Sequence, residues 1–286
     1  MLVIVGYVVV LFAVFGGFVI GGGHIAALFQ PVELLMIGGS AAGSFLVANS
    51  NKVVKATLKS LPGLLQGSRY NKDLYLETFT LLFDLLSKVR KEGLMSIEGD
   101  VDAPDKSPIF SKYPKVCSDH HVIEFLTDYL RIMVGGNLNA VEIESLMDSE
   151  IDTHHQEGEV PIRAIATLGD SMPAFGIVAA VMGVVHTMAS VGLPPAELGR
   201  LIAAALVGTF LGILLGYGFI SPLSVLLQHK LAESTKMFEC MKVTLLASLN
   251  GYAPQVAVEF GRKVLYSTER PSFTELEDQV KRRKVA

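Results

Sequence analysis

Long uncharged apolar runs alternate with heavily charged stretches along this chain, and the runs have the length of membrane spans. A helix needs about 20 mostly apolar residues to cross a hydrocarbon core about 30 Å thick. Four segments meet that condition: Leu2 to about Ile20, about Val32 to Ala48, about Ser171 to Val191, and Leu201 to Leu227. Pro31 suits the first turn of the second span, and Glu33 lies at its interface. The opening run has no Lys or Arg before it and no small-residue cleavage site before Gly21, so it reads as a retained helix rather than a secretory signal. Only Gly21 to Pro31 separates the first two spans and only Gly192 to Arg200 the last two, which pairs them as two short hairpins.

Between the hairpins the periodicity is helical. Tyr75, Phe79, Leu82, Leu86 and Val89 recur at spacings of three and four, as do Val122, Phe125, Tyr129 and Met133. The predicted fold is therefore an all-α membrane protein: a transmembrane hairpin at 1–48, a helical lobe at 49–169, a second hairpin at 170–227 and a C-terminal region at 228–286. Orientation follows from the basic residues, which favour the cytoplasmic side. Positions 49–169 hold 13 of the 24 Lys and Arg and positions 228–286 hold 10, so both soluble segments are expected in the cytoplasm.

Composition sharpens this picture by exclusion. Of 286 residues, 50% are hydrophobic and only 18% charged, too apolar for an ordinary soluble enzyme. Two cysteines, Cys117 and Cys240, build no disulfide framework, and both are expected in a reducing compartment. A net charge of -4 does not favour nucleic acid. The pairs His120-His121 and His154-His155 lack a matching Cys or carboxylate spacing for metal. No nucleophile, phosphate-loop or nucleotide motif suggests an enzyme, and no cofactor is expected. The charged patch around Gly93 (Lys88, Arg90, Lys91, Glu92, Glu98, Asp100, Asp102, Asp105) and the acidic stretch Glu142 to Glu159, with Glu150, read first as solvated faces. The basic end, Lys281 to Lys284, fits attraction to anionic lipid.

Inside the spans the informative residues are few. The third contains one titratable side chain, His186, and the fourth only Tyr217; neither contains Asp or Glu, and Asp170 stands just outside the third. Ionisable groups in a bilayer are costly and mark function. If this chain conducts a cation, another polypeptide must bring the carboxylate. Pro173 and Pro222 each remove a helix N–H, which makes either a plain kink or a point of conformational change. Ala204, Gly208, Gly212 and Gly216 form a small-residue stripe that lets another helix approach closely. Beside the stripe, Thr209 either bonds back to its own helix or turns its hydroxyl toward a polar path.

Three long segments carry a resemblance to a known family: GDSMPAFGIVAAVMGVVHTM from Gly169, VGTFLGILLGYGFISPL from Val207, and NGYAPQVAVEFGRKVLYSTERPSF from Asn250. With GYVVVL at Gly6 and QPVELL at Gln30, the chain resembles the MotA family of flagellar motor stator subunits over nearly its whole length. The resemblance implies four membrane helices and a ring of five copies around a dimer of MotB, whose single span carries the essential aspartate. It also implies proton flow that turns the ring against the rotor, in the bacterial inner membrane. By position, Pro173 and Pro222 match the family's coupling prolines, and Arg90 and Glu98 its charged contacts to the rotor protein FliG, with Glu150 a further acidic position. Asp170 and Thr209 are retained. Ala180 stands where related sodium-driven stators have a hydroxyl; one oxygen ligand fewer favours H+ over Na+. The related TolQ/ExbB proton channels that energise outer-membrane transport have three spans, and a passive membrane scaffold is the other reading.

Overall fold

The computed structural model describes residues 2–136, 139–189 and 192–285, with side chains through Lys281; Val191, at the expected end of the third span, and the side chains of Arg282 to Lys284 lie outside the described residues. Among the described residues every regular element is helical. The principal helices are α1 (Leu2–Ile20), α2 (Pro31–Ala48), α3 (Asn51–Ser60), α4 (Lys72–Glu92), α5 (His120–Gly135), α6 (Ala140–Met188), α7 (Pro195–Leu249), α8 (Pro254–Val264) and α9 (Phe273–Val285). Four of them, α1, α2 with its preceding turn, α6 and α7, are long and apolar enough to cross a membrane.

Two compact units result: residues 1–67 with 158–229, and residues 68–157 with 230–286. The charge pattern put the divisions at 48/49, 169/170 and 227/228. The contacts within the chain divide it at 67/68, 157/158 and 229/230 instead, since α3 belongs with the first unit and α6 and α7 continue as uninterrupted helices past the ends of their apolar stretches. Helical hydrogen bonding is indifferent to which solvent surrounds it, so hydropathy marks where lipid ends and not where a helix does.

In the second unit α4 begins where Asn71 caps it, its side chain accepting from the Leu74 N–H at 3.0 Å. It stops at Gly93, whose φ of 87° suits glycine. The stripe read from the sequence, Tyr75, Phe79, Leu82 and Leu86, is buried, with Val89 packed at the edge. In the same core, Val122, Phe125, Tyr129 and Met133 bury one side of α5. Asp119 caps α5 and also receives the Tyr70 hydroxyl at 3.1 Å and Arg69 at 3.3 Å.

In the last turn of α8, Arg262 is buried and donates to the Glu259 carboxylate and to the Pro271 carbonyl at 3.0 Å. Ser272 and Glu275 then form a reciprocal capping box on α9, at 2.7 and 3.2 Å. Lys72, 2.7 Å away, and then that box hold the Glu275 carboxyl down to about 2. The Asn250 to Phe273 segment is thus held by these hydrogen bonds and by Ala257, Val258 and Leu265, buried in the core.

The first unit is built differently. No residue of Leu2–Leu11 is buried, and contact with α7 comes through single rings: Tyr7 lies 4.9 Å from Phe219 and donates its hydroxyl to the Phe219 carbonyl at 2.8 Å, while Phe15 meets Phe210 edge-on at 6.2 Å. Ile37 and Ala41 of α2 are fully buried. Exposed apolar side chains such as Ile177, Val181, Val185, Ile202 and Leu206 cover the outer faces, as helices surrounded by lipid or by further helices require.

Candidate ion-pathway site and charged surface

Within the first unit α6 and α7 approach along small residues. The residue that continues the stripe is Ala205 rather than Ala204: Ala205 is buried and Ala204 only half-buried. A 3, 4, 4 spacing through Gly208, Gly212 and Gly216 follows the 3.6-residue turn better than strict fours. The helix it receives belongs to the same chain. A Cβ at Gly212 would lie 2.7 Å from the Met172 carbonyl oxygen and 2.8 Å from Gly176 Cα; one at Gly183 would lie 2.6 Å from Ala205 Cβ. Backbones this close leave no room for any side chain.

Pro173 sits at one of these close contacts. Lacking an N–H, it frees the Gly169 carbonyl one turn earlier. A Cβ at Gly216 would fall 2.6 Å from that oxygen and 2.9 Å from Pro173 Cδ. The proline ring and the carbonyl it releases therefore both press on one glycine of α7. Pro222 has a matching local consequence: residues Leu214–Ile220 form a π-helical segment immediately before it. Widening the helix relieves the clash a proline ring makes with the preceding turn. Tyr7 supplies a donor to Phe219 within that widened turn.

Ser221, just ahead of Pro222, has a buried hydroxyl without a hydrogen-bond partner, and it occupies the space a side chain at Gly169 would need. Sequence reasoning missed it; a serine beside a proline in an apolar span was the available signal. Ala180 and Thr209 lie at one level of the helix pair, since a Cβ at Gly208 would be 3.2 Å from Ala179 Cβ and 3.3 Å from the Ala180 nitrogen. Thr209 is half-buried; Asp170 and Pro222 are exposed. Glu33, in the first turn of α2, is 9% exposed, with Oε2 unpartnered.

The charged positions lie in the second unit and are not brought together. Arg90, near the end of α4, lines a cleft of about 560 Å³ with Lys88, Lys91, Lys112 and Pro254. Glu98 borders a different depression with Met95, Asp102 and Arg131. Both are exposed, and none of the described ion pairs joins them. The patch around Gly93 is only partly a solvated face. Asp100 is 6% exposed and holds Lys88 at 2.7 Å and the Ser107 hydroxyl at 2.5 Å, so that pair is an internal brace. Glu150 accepts the hydroxyl of buried Tyr129 at 2.7 Å, and burial with that carboxylate pushes the phenol up. His154 meets Phe238 edge-on, ring centroids 4.7 Å apart, and the Ser234 hydroxyl at 3.2 Å; burial lowers its pKa. Among the described residues no group of His, Cys, Asp and Glu is arranged for a metal.

Glycine-packed helices with Pro173 at a close contact, and with no Asp or Glu in their apolar stretches, have the makeup of a multi-span membrane subunit. The comparisons agree. Residues 4–93 match the motility protein A N-terminal family and residues 119–240 the MotA/TolQ/ExbB proton channel family. Motility protein A of Salmonella typhimurium and that of Escherichia coli are each 56% identical over 281 residues, covering 98% of this chain and 95% of theirs. Chemotaxis protein LafT of Vibrio parahaemolyticus is 36% identical over 272 residues, 95% of each chain. Among solved structures, Campylobacter jejuni MotAB matches with TM-score 0.78 at 19% identity, over 94% of this chain and 98% of that one. The MotAB stator complex of Bacillus subtilis matches with TM-score 0.74 at 24% identity, over 90% and 92%. The chain belongs to the motility protein A family of flagellar stator subunits.

Proposed function

We propose that this chain forms the outer ring of a proton-driven flagellar stator in the bacterial inner membrane, five copies around a dimer of a MotB-like single-span subunit. Both soluble segments face the cytoplasm, as the distribution of Lys and Arg supports. The partner's membrane aspartate binds the proton beside α6 and α7. Neutralising that carboxylate removes a charge that low dielectric disfavours by several kcal/mol, which changes the preferred packing of the helices around it. The role of this chain is mechanical and electrostatic rather than catalytic.

One observation carries the reading: Pro173 and the carbonyl it frees lie against Gly216 where the apolar stretches of α6 and α7, 171–191 and 201–227, contain no Asp or Glu. A contact with no spare volume converts a small change at the partner's acid into a shift of α7. Ala180, without an oxygen ligand, supports H+ over Na+ as the coupling ion. In this reading Arg90 and Glu98, exposed and unpaired with each other, meet the rotor protein FliG, with Glu150 contributing chiefly through Tyr129. The alternative of a TolQ/ExbB-like role is less favoured because the N-terminal family match and full-length relatives are motility proteins.

The test pairs Pro173→Ala with Pro222→Ala and follows swimming and membrane assembly with the partner. Loss of swimming with normal assembly is expected. Normal motility in both variants overturns the conformational role and favours a passive scaffold. Sodium-dependent swimming overturns the proton assignment.

A further inference from the structure

Between Glu33 and Asp73 the chain holds no acidic residue, yet it carries Lys52, Lys55, Lys59, Arg69 and Lys72. Three of these stand on α3. At about 100° per residue, Lys52, Lys55 and Lys59 fall within a sector of about 60°. Val53, Val54 and Thr57, which are half-buried or buried, face the other way. All three lysines are exposed, and none of the described ion pairs includes them.

The position of α3 says what that row faces. It starts after only Asn49 and Ser50 at the end of α2, and the turn that follows it, Leu61–Leu65, packs against Leu2–Leu11 of α1. Those contacts are at the same end of the first hairpin. A helix about 15 Å long that joins them runs across the ends of the spans rather than along them. Leu58 and Leu65 are 61% and 56% exposed beside the lysine row. Next to α3 a cleft of about 260 Å³ opens between Val53, Val160 and Ala164, with Arg163 at its edge. A basic, amphipathic helix in this position has the makeup of an interfacial helix.

We propose that α3 binds anionic phospholipid headgroups through Lys52, Lys55 and Lys59, with Leu58 and Leu65 seated among the acyl chains. The proposal rests on the reading that the spans cross the bilayer with this end cytoplasmic. Anionic lipid is the occupant the charges select: three uncompensated cations at headgroup depth attract it, and zwitterionic lipid offers no net charge in return.

The experiment uses the full chain assembled with its single-span partner, titrated in detergent with phosphatidylglycerol and, separately, phosphatidylethanolamine. Phosphatidylglycerol should bind roughly a hundredfold more weakly to K52Q/K55Q/K59Q than to the unaltered complex, at about 1 kcal/mol per lysine. K52R/K55R/K59R should retain binding, and raised salt should weaken it. Equal affinity in the glutamine variant overturns the proposal. So does an altered number of copies with unchanged lipid affinity, which would make α3 a contact between copies. If the glutamine variant fails to assemble, salt-insensitive binding by the unaltered complex overturns the proposal instead. S60C in a C117S background, labelled with an impermeant maleimide, isolates the topology: labelling from outside intact cells sinks the orientation, whereas inward placement with indifference to lipid sinks only this site.

Discussion

The two units hold together by opposite means. The second buries large side chains, Phe79, Phe110, Phe125, Tyr75 and Tyr129 among them, in one continuous cluster that removes apolar surface from water. The first buries almost none; its α6 and α7 meet through Gly176, Gly183, Gly208, Gly212 and Gly216, where backbones touch directly. In lipid there is no hydrophobic gain in bringing two apolar helices together, so close packing has to supply the attraction. One unit is stabilised by volume filled and the other by volume absent. A small shift is absorbed by flexible side chains in the first kind of contact and transmitted in the second.

Substitutions can break this contrast. The largest effect on stability is expected from Phe79→Ala, fully buried against Gly261, which should cost about 3–5 kcal/mol in thermal or denaturant unfolding of the second unit. The same truncation logic has nothing to remove at Gly212. There the damaging change is an addition: Gly212→Val should cost about 1–3 kcal/mol by overpacking, abolish swimming, and leave the melting of the second unit unchanged. If Gly212→Val swims normally, the two helices are not held at the distance described.

Smaller effects sharpen the picture within the second unit. Lys88→Met leaves Asp100 buried with Ser107 as its remaining partner; because Lys88 is 30% exposed, the expected loss is about 1–2 kcal/mol by unfolding. The smallest effect is a pH dependence from His154. Its folded pKa is lowered below the ordinary 6.5 by burial, so the unfolded chain binds the proton more readily. Stability contributed there is present above about pH 6.5 and is lost as pH falls. His154→Phe should flatten that acid limb, measured as melting temperature against pH, while the first unit's response stays as it was.

Much of this was legible beforehand, for physical reasons that also explain the gaps. Periodicity located α4 and α5 because burial on one face of a helix leaves a 3.6-residue trace in the sequence. Hydropathy located the spans but not where α6 and α7 begin and end, since lipid and helix obey different rules. Pro173 and Pro222 could be singled out by residue type alone. What they touch could not be: the pressure of Pro173 on Gly216 and the Tyr7 bond to Phe219 join positions far apart in sequence. Ser221 was passed over, and the burial of Glu33 was not foreseen, for the same reason: an unpartnered oxygen is defined by its surroundings. Lys88 and Asp100 looked like solvent-facing charges until α4 and the turn after it brought them together.

The central claim is that the acid handling the proton belongs to another polypeptide. Reconstituting this chain alone into vesicles with an imposed pH gradient tests it most directly. The account predicts that the gradient decays no faster than in empty vesicles, whereas rapid collapse with this chain alone would contradict it.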